Sequence, residues 1–199
     1  MTKTVFLDRD GTINEDVNFL RRPEDVRILP QVGRGMAMLQ DCGFRLVVVS
    51  NQSGLARGIL NEYDLFSVQQ EIRRQLSVFS VSLDGAYFCP HHPTRGVVED
   101  LVKTCSCRKP QPGLIYMAAE EMSLDLHQSF MIGDRLRDIA CGQAAGLPSI
   151  LVTTGRYQDD GPLRSWPNRP DYVAADFWEA ARWIALRSGK REVNESIDS

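Results

Sequence analysis

"FLDRDGTINED", residues 6–16, sets Asp8 and Asp10 on either side of Arg9, directly after a short apolar run. Two carboxylates that close repel unless a positive charge comes between them. Aspartate before glycine also suits a plain turn, so the rest of the chain has to decide between a turn and a site. The residues leading in, "TVFL" (4–7), are apolar throughout rather than alternating, as in a strand covered on both faces. Four more runs of this kind follow: "FRLVVVS" (44–50), "GAYF" (85–88), "SFMIG" (129–133) and "PSILV" (148–152).

Helical patterns fill the intervals. "NEYDLFSVQQEIRRQLSVF" (61–79) places Leu65, Val68, Ile72, Leu76 and Phe79 on one face, with Asn61 and Asp64 as a capping pair. "QPGLIYMAAEEM" (111–122) starts a helix with Pro112 in its first turn, and "RLRDIACGQAAG" (135–146) ends one at Gly146. "DFWEAARWIALRS" (176–188) carries a further cap pair in Asp176 and Glu179. Strand–helix alternation of this kind predicts an α/β fold built on a doubly wound parallel sheet. One domain is expected over residues 1–187, with 89–110 and 155–170 outside the alternation and a polar tail over 188–199.

A chain of 199 residues suits a single domain. Its net charge is −3 and its basic residues fall in scattered pairs such as Arg21-Arg22, which argues against a nucleic-acid binder. Only Val5, Phe6 and Leu7 form an apolar run before Asp8, so no signal peptide is expected, and no run reaches membrane-spanning length. A cytoplasmic monomer is the expectation.

Ligands of an open α/β sheet bind beyond the carboxyl ends of its strands. Asp8 and Asp10 follow the first run, Ser50 and Asn51 the second, and Asp134 the fourth, with Asp138 one helical turn on. "CRKPQPG" (107–113) adds Arg108 and Lys109. Acids, a hydroxyl and a lysine converging there are what phosphoryl transfer to a carboxylate needs. An attacking carboxylate and a phosphate dianion repel by about 4 kcal/mol at 4 Å and an effective dielectric near 20. Mg²⁺ held by Asp8 and Asp134 reverses that sign. Lys109 and Ser50 would hold the phosphoryl oxygens, and Asp10 would protonate the departing alkoxide and then activate water against an aspartyl-phosphate on Asp8.

Three of the five cysteines, Cys89, Cys105 and Cys107, crowd one polar loop with His91 and His92. Cys89, His91, Cys105 and Cys107 make a closed tetrahedral set, read as a structural zinc site within 89–107, with His92 as the spare imidazole. An ion there would stiffen a coreless loop and deliver Arg108 and Lys109 to the crevice. Cys42 and Cys141 read as core residues.

Taken together, "FLDRDGT", "VVVSNQSG", "RKPQPG" and "MIGDRLRDI" resemble the four motifs of the haloacid dehalogenase superfamily of phosphatases, over Val5 to about Gly155. The resemblance implies a Rossmann-like core, Asp8 as the phosphorylated residue, Asp10 as acid/base, and the Asp10 main-chain carbonyl as a further Mg²⁺ ligand. Asp138 would support the metal site. Few residues separate Asp10 from Ser50, so no large cap domain is expected, and closure falls to "DVNF" (16–19), "SNQSG" (50–54) and the zinc loop. The loop narrows the resemblance to the histidinol-phosphatase-like subfamily. It implies substrate contacts from Asp16, Phe19, Asn51, Ser53, Arg108 and Arg135. The expected substrate is a phosphorylated sugar, a heptose bisphosphate losing its C7 phosphate on the way to lipopolysaccharide, with histidinol phosphate or a range of small esters as alternatives. Arg108 is the expected donor to a second phosphate. Arg57 and the loop 155–170 receive no role.

Overall fold

Six buried or half-buried segments take up strand geometry in the computed structural model, which describes residues 2–189. They are Thr4–Leu7 (β1), Arg45–Asn51 (β2), Gly85–Cys89 (β3), Phe130–Gly133 (β4), Ser149–Val152 (β5) and Tyr172–Ala174 (β6). The sheet order is β3-β2-β1-β4-β5-β6, and every neighbouring pair is parallel. Five helices cover it: Val32–Asp41 (α1), Glu62–Ser77 (α2), Gly113–Met122 (α3), Leu136–Ala144 (α4) and Phe177–Arg187 (α5).

The two-residue period of a strand divides the core in two. Val5 and Leu7 of β1, Leu46 and Val48 of β2 and Ile132 of β4 pack with Met36, Ile72 and Ile184 from α1, α2 and α5. Phe6, Val47, Val49 and Met131 face the other way, against Leu114, Ile115 and Ala118 of α3 and Cys141 of α4. The sheet is thus doubly wound, as its uninterrupted apolar strands require. Strand order reverses at β1, between β2 and β4, and a crevice must open where those chains diverge. Between Asp10 and Ser50 there is only α1 and a 3-10 turn, Pro23–Asp25, so no cap domain is present.

Several local expectations need correction. β6 is an unforeseen strand: three residues at the sheet edge, with Val173 exposed, are too short to show a period. The Asp176–Glu179 cap pair is present in one direction, Asp176 Oδ1 accepting the Glu179 amide at 2.9 Å, but the Glu179 side chain does not return the bond to Asp176. The Glu179 carboxylate accepts from Ala175 N and the Tyr172 hydroxyl at 2.7 and 2.6 Å, which ties α5 to β6. Phe79 lies beyond the end of α2, half exposed, with its ring against Gly33 of α1. Pro112 is the N-cap of α3 rather than part of its first turn. The loop 155–170 is two 3-10 turns, Tyr157–Asp160 and Leu163–Ser165, anchored by buried Trp166 against Ile139 and Leu151. Of the expected tail, Ser188 and Gly189 close α5 and residues 190–199 lie outside the described residues.

The Asn61–Asp64 box is reciprocal at 2.9 Å in both directions and starts the helix that closes one face of the sheet. Asn61→Ala is expected to lower stability by about 1 kcal/mol, read as a lower urea midpoint at unchanged slope.

Candidate active site and metal centres

Asp8 is the first residue past β1, and its amide donates to Ile132 O at 3.0 Å, which carries the β1–β4 ladder to the point of divergence. Asp134 follows β4 and Asp138 lies in the first turn of α4, where its Oδ2 accepts the Arg135 amide at 3.0 Å. Lys109 reaches in from the segment before α3. Its Nζ lies 2.7 Å from Asp8 Oδ1 and 2.8 Å from Asp138 Oδ1, and all three side chains are buried. The main chain at Lys109 is fixed by Asn51, which donates to Lys109 O and accepts from Lys109 N, each at 3.0 Å. Asn51, expected at the substrate, spends its amide on positioning the lysine.

Burial works to raise the Asp8 carboxyl, but the Lys109 ammonium and Arg137 guanidinium outweigh it and hold Asp8 below its ordinary value. Burial likewise opposes the charge on Lys109, yet Asp138 and Asp8 hold its pKa up. At Asp134 the balance is reversed: burial, then repulsion from Asp138 and Asp8, outweighs the Arg156 amide and Arg137 and pushes it to about 8. The group is therefore a salt bridge with surplus negative charge.

That surplus is the test for a cation. Asp8, Asp134 and Asp138 can bring oxygens within 4.8 Å of one another, and buried Asp134 Oδ1 has no hydrogen-bond partner. A hard, oxygen-seeking divalent ion such as Mg²⁺ fits this donor set. A Cβ at Gly11 or Gly155 would overlap the Asp134 carboxylate, so main chain wraps that acid closely.

The Asp10 carboxylate sits apart from this trio. Arg9 Nε and Nη2 grip its two oxygens at 3.0 and 2.9 Å, Asn14 donates to Oδ1 at 2.9 Å and Gln52 to Oδ2 at 2.9 Å. Gln52 Nε2 also lies 3.1 Å from Ser50 Oγ, so one amide links Asp10 to Ser50. Arg9, Asn14 and Gln52 were not singled out in the sequence, although all three lie within or beside the quoted motifs.

Around the rim the expected contacts divide. Arg108 is half-buried, donates to His91 O at 2.9 Å, and has its pKa lowered by burial and by neighbouring Arg137 and Arg57. The Nε atoms of Arg57 and Arg137 are buried without a partner. Arg57 stacks on the Phe19 ring at 5.4 Å, and Ser53 O accepts the Arg57 amide at 3.2 Å. Arg135 is held bidentately by Asp160, through Nε and Nη2 at 2.8 Å, which raises its pKa. Asp16 is engaged by Arg156 at 3.1 Å. Loop 155–170 thus closes one wall of the crevice, with Arg156 N donating to Asp134 Oδ2 at 2.8 Å and Thr154 Oγ1 to Gly11 O at 2.9 Å. Neighbouring Asn18 and Phe19 both have left-handed backbones, φ 54° and 60°, a conformation costing on the order of 1–3 kcal/mol per non-glycine residue.

Cys89 at the end of β3, His91, Cys105 and Cys107 form a second cluster. Its Sγ–Sγ distances are 3.3–3.6 Å and its Sγ–Nδ1 distances 3.4–3.6 Å. Tetrahedral zinc with bonds of about 2.0–2.3 Å requires ligand edges of roughly 3.5–3.8 Å, so the set needs to open by only a few tenths of an ångström to hold it. Burial, Lys103 and Arg108 lower the His91 pKa, which keeps the ring neutral and able to ligate. His92 is occupied elsewhere, its Nδ1 accepting from Arg95 N at 2.9 Å and Thr94 N at 3.2 Å.

Comparison with known proteins follows this geometry. The HAD-hydrolase-like family model matches residues 106–180. D-glycero-beta-D-manno-heptose-1,7-bisphosphate 7-phosphatase of Photorhabdus laumondii is 43% identical over 76% of this chain and 81% of its own. The D-glycero-alpha-D-manno-heptose-1,7-bisphosphate 7-phosphatase of the same organism is 38% identical over 77% and 84%. The crystal structure of D,D-heptose 1,7-bisphosphate phosphatase from B. bronchiseptica, complexed with magnesium and phosphate, superposes with a TM-score of 0.81. It is 31% identical and covers 93% of this chain and 99% of that one.

Two outcomes are expected. Because the folded-state pKa of Asp134 is raised, its ionisation costs stability, a cost absent below about pH 4 and growing as pH rises toward about 8. In EDTA, Asp134→Asn should raise Tm by at least about 2–4 °C at pH 8, with little change at pH 4, and should abolish stabilisation by added Mg²⁺. Elemental analysis should find about one zinc per chain, and Cys107→Ala should lose it together with several degrees of Tm.

Proposed function

The chain belongs to the haloacid dehalogenase-like hydrolases and is a phosphatase of that family, and from that premise we propose that it removes the C7 phosphate from a D-glycero-D-manno-heptose 1,7-bisphosphate. Asp8 is the nucleophile: kept ionised by Lys109 and Arg137, its free oxygen attacks phosphorus as the bond to the C7 oxygen breaks. Lys109 and Ser50 bind the phosphoryl oxygens through transfer. Asp10, held by Arg9, Asn14 and Gln52, gives a proton to the departing alkoxide and then takes one from the water that hydrolyses the aspartyl-phosphate. The products are inorganic phosphate and heptose 1-phosphate, and Asp8 is regenerated. Asp8, Asp134 and the Asp10 carbonyl, with Asp138 alongside, would hold magnesium, which would supply the charge that lets an anionic ester approach a carboxylate. Cys89, His91, Cys105 and Cys107 would hold zinc with four protein ligands, the set of a structural rather than a catalytic site.

The observation that carries the choice of substrate is the rim of guanidinium groups. Arg57 and Arg137 lie close enough to Arg108 to add to the lowering of its pKa by burial, and the buried Nε atoms of Arg57 and Arg137 have no partner. Such a rim suits a second phosphate and repels the ammonium group of histidinol phosphate. The product would feed nucleotide-activated heptose for lipopolysaccharide.

Asp8→Asn should retain the fold by circular dichroism and lose at least about 10³-fold in turnover. Wild-type kcat/KM should favour heptose 1,7-bisphosphate over histidinol phosphate, and Arg108→Ala should erase at least about tenfold of that preference. Preference for histidinol phosphate would reverse the assignment.

A further inference from the structure

Arg156 stands in the loop 155–170 and touches both sides of the crevice. Its main-chain amide donates to Asp134 Oδ2 at 2.8 Å. Its side chain reaches across to Asp16 Oδ2 through Nε at 3.1 Å and to Asn18 Oδ1 through Nη1 at 3.0 Å. The segment it holds is the one with two successive left-handed residues, Asn18 and Phe19. Asparagine tolerates that conformation, but a bulky phenylalanine does not adopt it without external restraint. The restraint comes from two sides: Arg156 on Asp16 and Asn18, and Arg57 stacked on the Phe19 ring. Gly54 backs the same ring, with no room there for a Cβ.

We propose that Arg156 is a positioning residue for the leaving group: its side chain fixes the Asp16–Phe19 loop in the strained form that presents Phe19 to the sugar. Its backbone fixes Asp134 at the same time, so the wall that grips the sugar and the acid that faces the phosphate share one anchor. The proposal rests on the function given above: a single residue, Arg156, joins Asp134 to Asp16 and Asn18, so the 16–19 segment borders the place where the sugar of the proposed ester would lie. The Arg156 side chain is partly exposed, and pairs of this kind add little to global stability. Its loss is therefore expected to appear in the loop and in substrate selection, not in the fold.

The test uses the full chain with Mg²⁺ and two substrates, heptose 1,7-bisphosphate and p-nitrophenyl phosphate, whose leaving group has no sugar to grip. Arg156→Ala should raise KM for the bisphosphate about tenfold with kcat within about twofold, and leave kcat/KM for p-nitrophenyl phosphate within about twofold. Arg156→Lys should recover part of the loss. Hydrogen exchange at residues 17–20 should quicken in Arg156→Ala and remain unchanged around Asp134. Asn18→Ala, which removes one of the same ties from the opposite side, should reproduce the KM effect in smaller measure and serves if Arg156→Ala folds poorly. Equal losses on both substrates, or unchanged KM and exchange, would overturn the proposal. A wild-type enzyme with no preference for the bisphosphate would instead overturn the substrate assignment on which it rests.

Discussion

A single ammonium group between two buried carboxylates organises this crevice. Lys109 Nζ meets Asp8 and Asp138 at 2.7 and 2.8 Å, out of contact with water. Removing one member of such a group would strand an uncompensated charge, a loss of about 3–5 kcal/mol in comparable cases. The lysine therefore has to arrive accurately, and three features see to it. Asn51 clamps its peptide unit, the cysteine cluster ends two residues upstream at Cys107, and α3 starts just downstream at Gly113. The cysteine cluster and the Asp8 carboxylate are thus connected through Lys109 and a few residues of main chain.

Electrostatics and topology make the same demand on this crevice from different directions. The sheet reverses its strand order at β1, which brings Asp8 beside Asp134 and gives the helix after β4 a first turn that can supply Asp138. Three acids meet there with one lysine. The folded chain tolerates them because Asp134 can hold its proton until a cation arrives, at the expense of stability when it cannot.

Much of this was legible in the sequence because strands covered on both faces leave uninterrupted apolar runs, and polar residues at their ends then stand out. Five strands and the positions of Asp8, Ser50 and Asp134 could be read that way, while Lys109 had to be taken from the "CRKPQPG" segment ahead of a helix. β6 could not, because three residues show no period and its pairing is set by Ser149–Val152 far upstream. The partners of Asp10 were equally hidden: Gln52 and Asn14 look like loop polarity until the chain folds them onto one carboxylate. Asp160 was hidden in the same way: from a loop with no recognisable motif, it takes one edge of the Arg135 guanidinium beside Asp134.

The position of β1 bears on how the chain comes into being. Among the six strands β1 comes first in chain order and is one of the two central ones, and it can accept β2 on one side well before β4 exists to cover the other. Until the ribosome has passed Phe130–Gly133, Thr4–Leu7 offers an open apolar edge of the kind that recruits foreign strands. The reversal that creates the crevice thus leaves the nascent chain most exposed to mispairing at the segment that leads directly into Asp8.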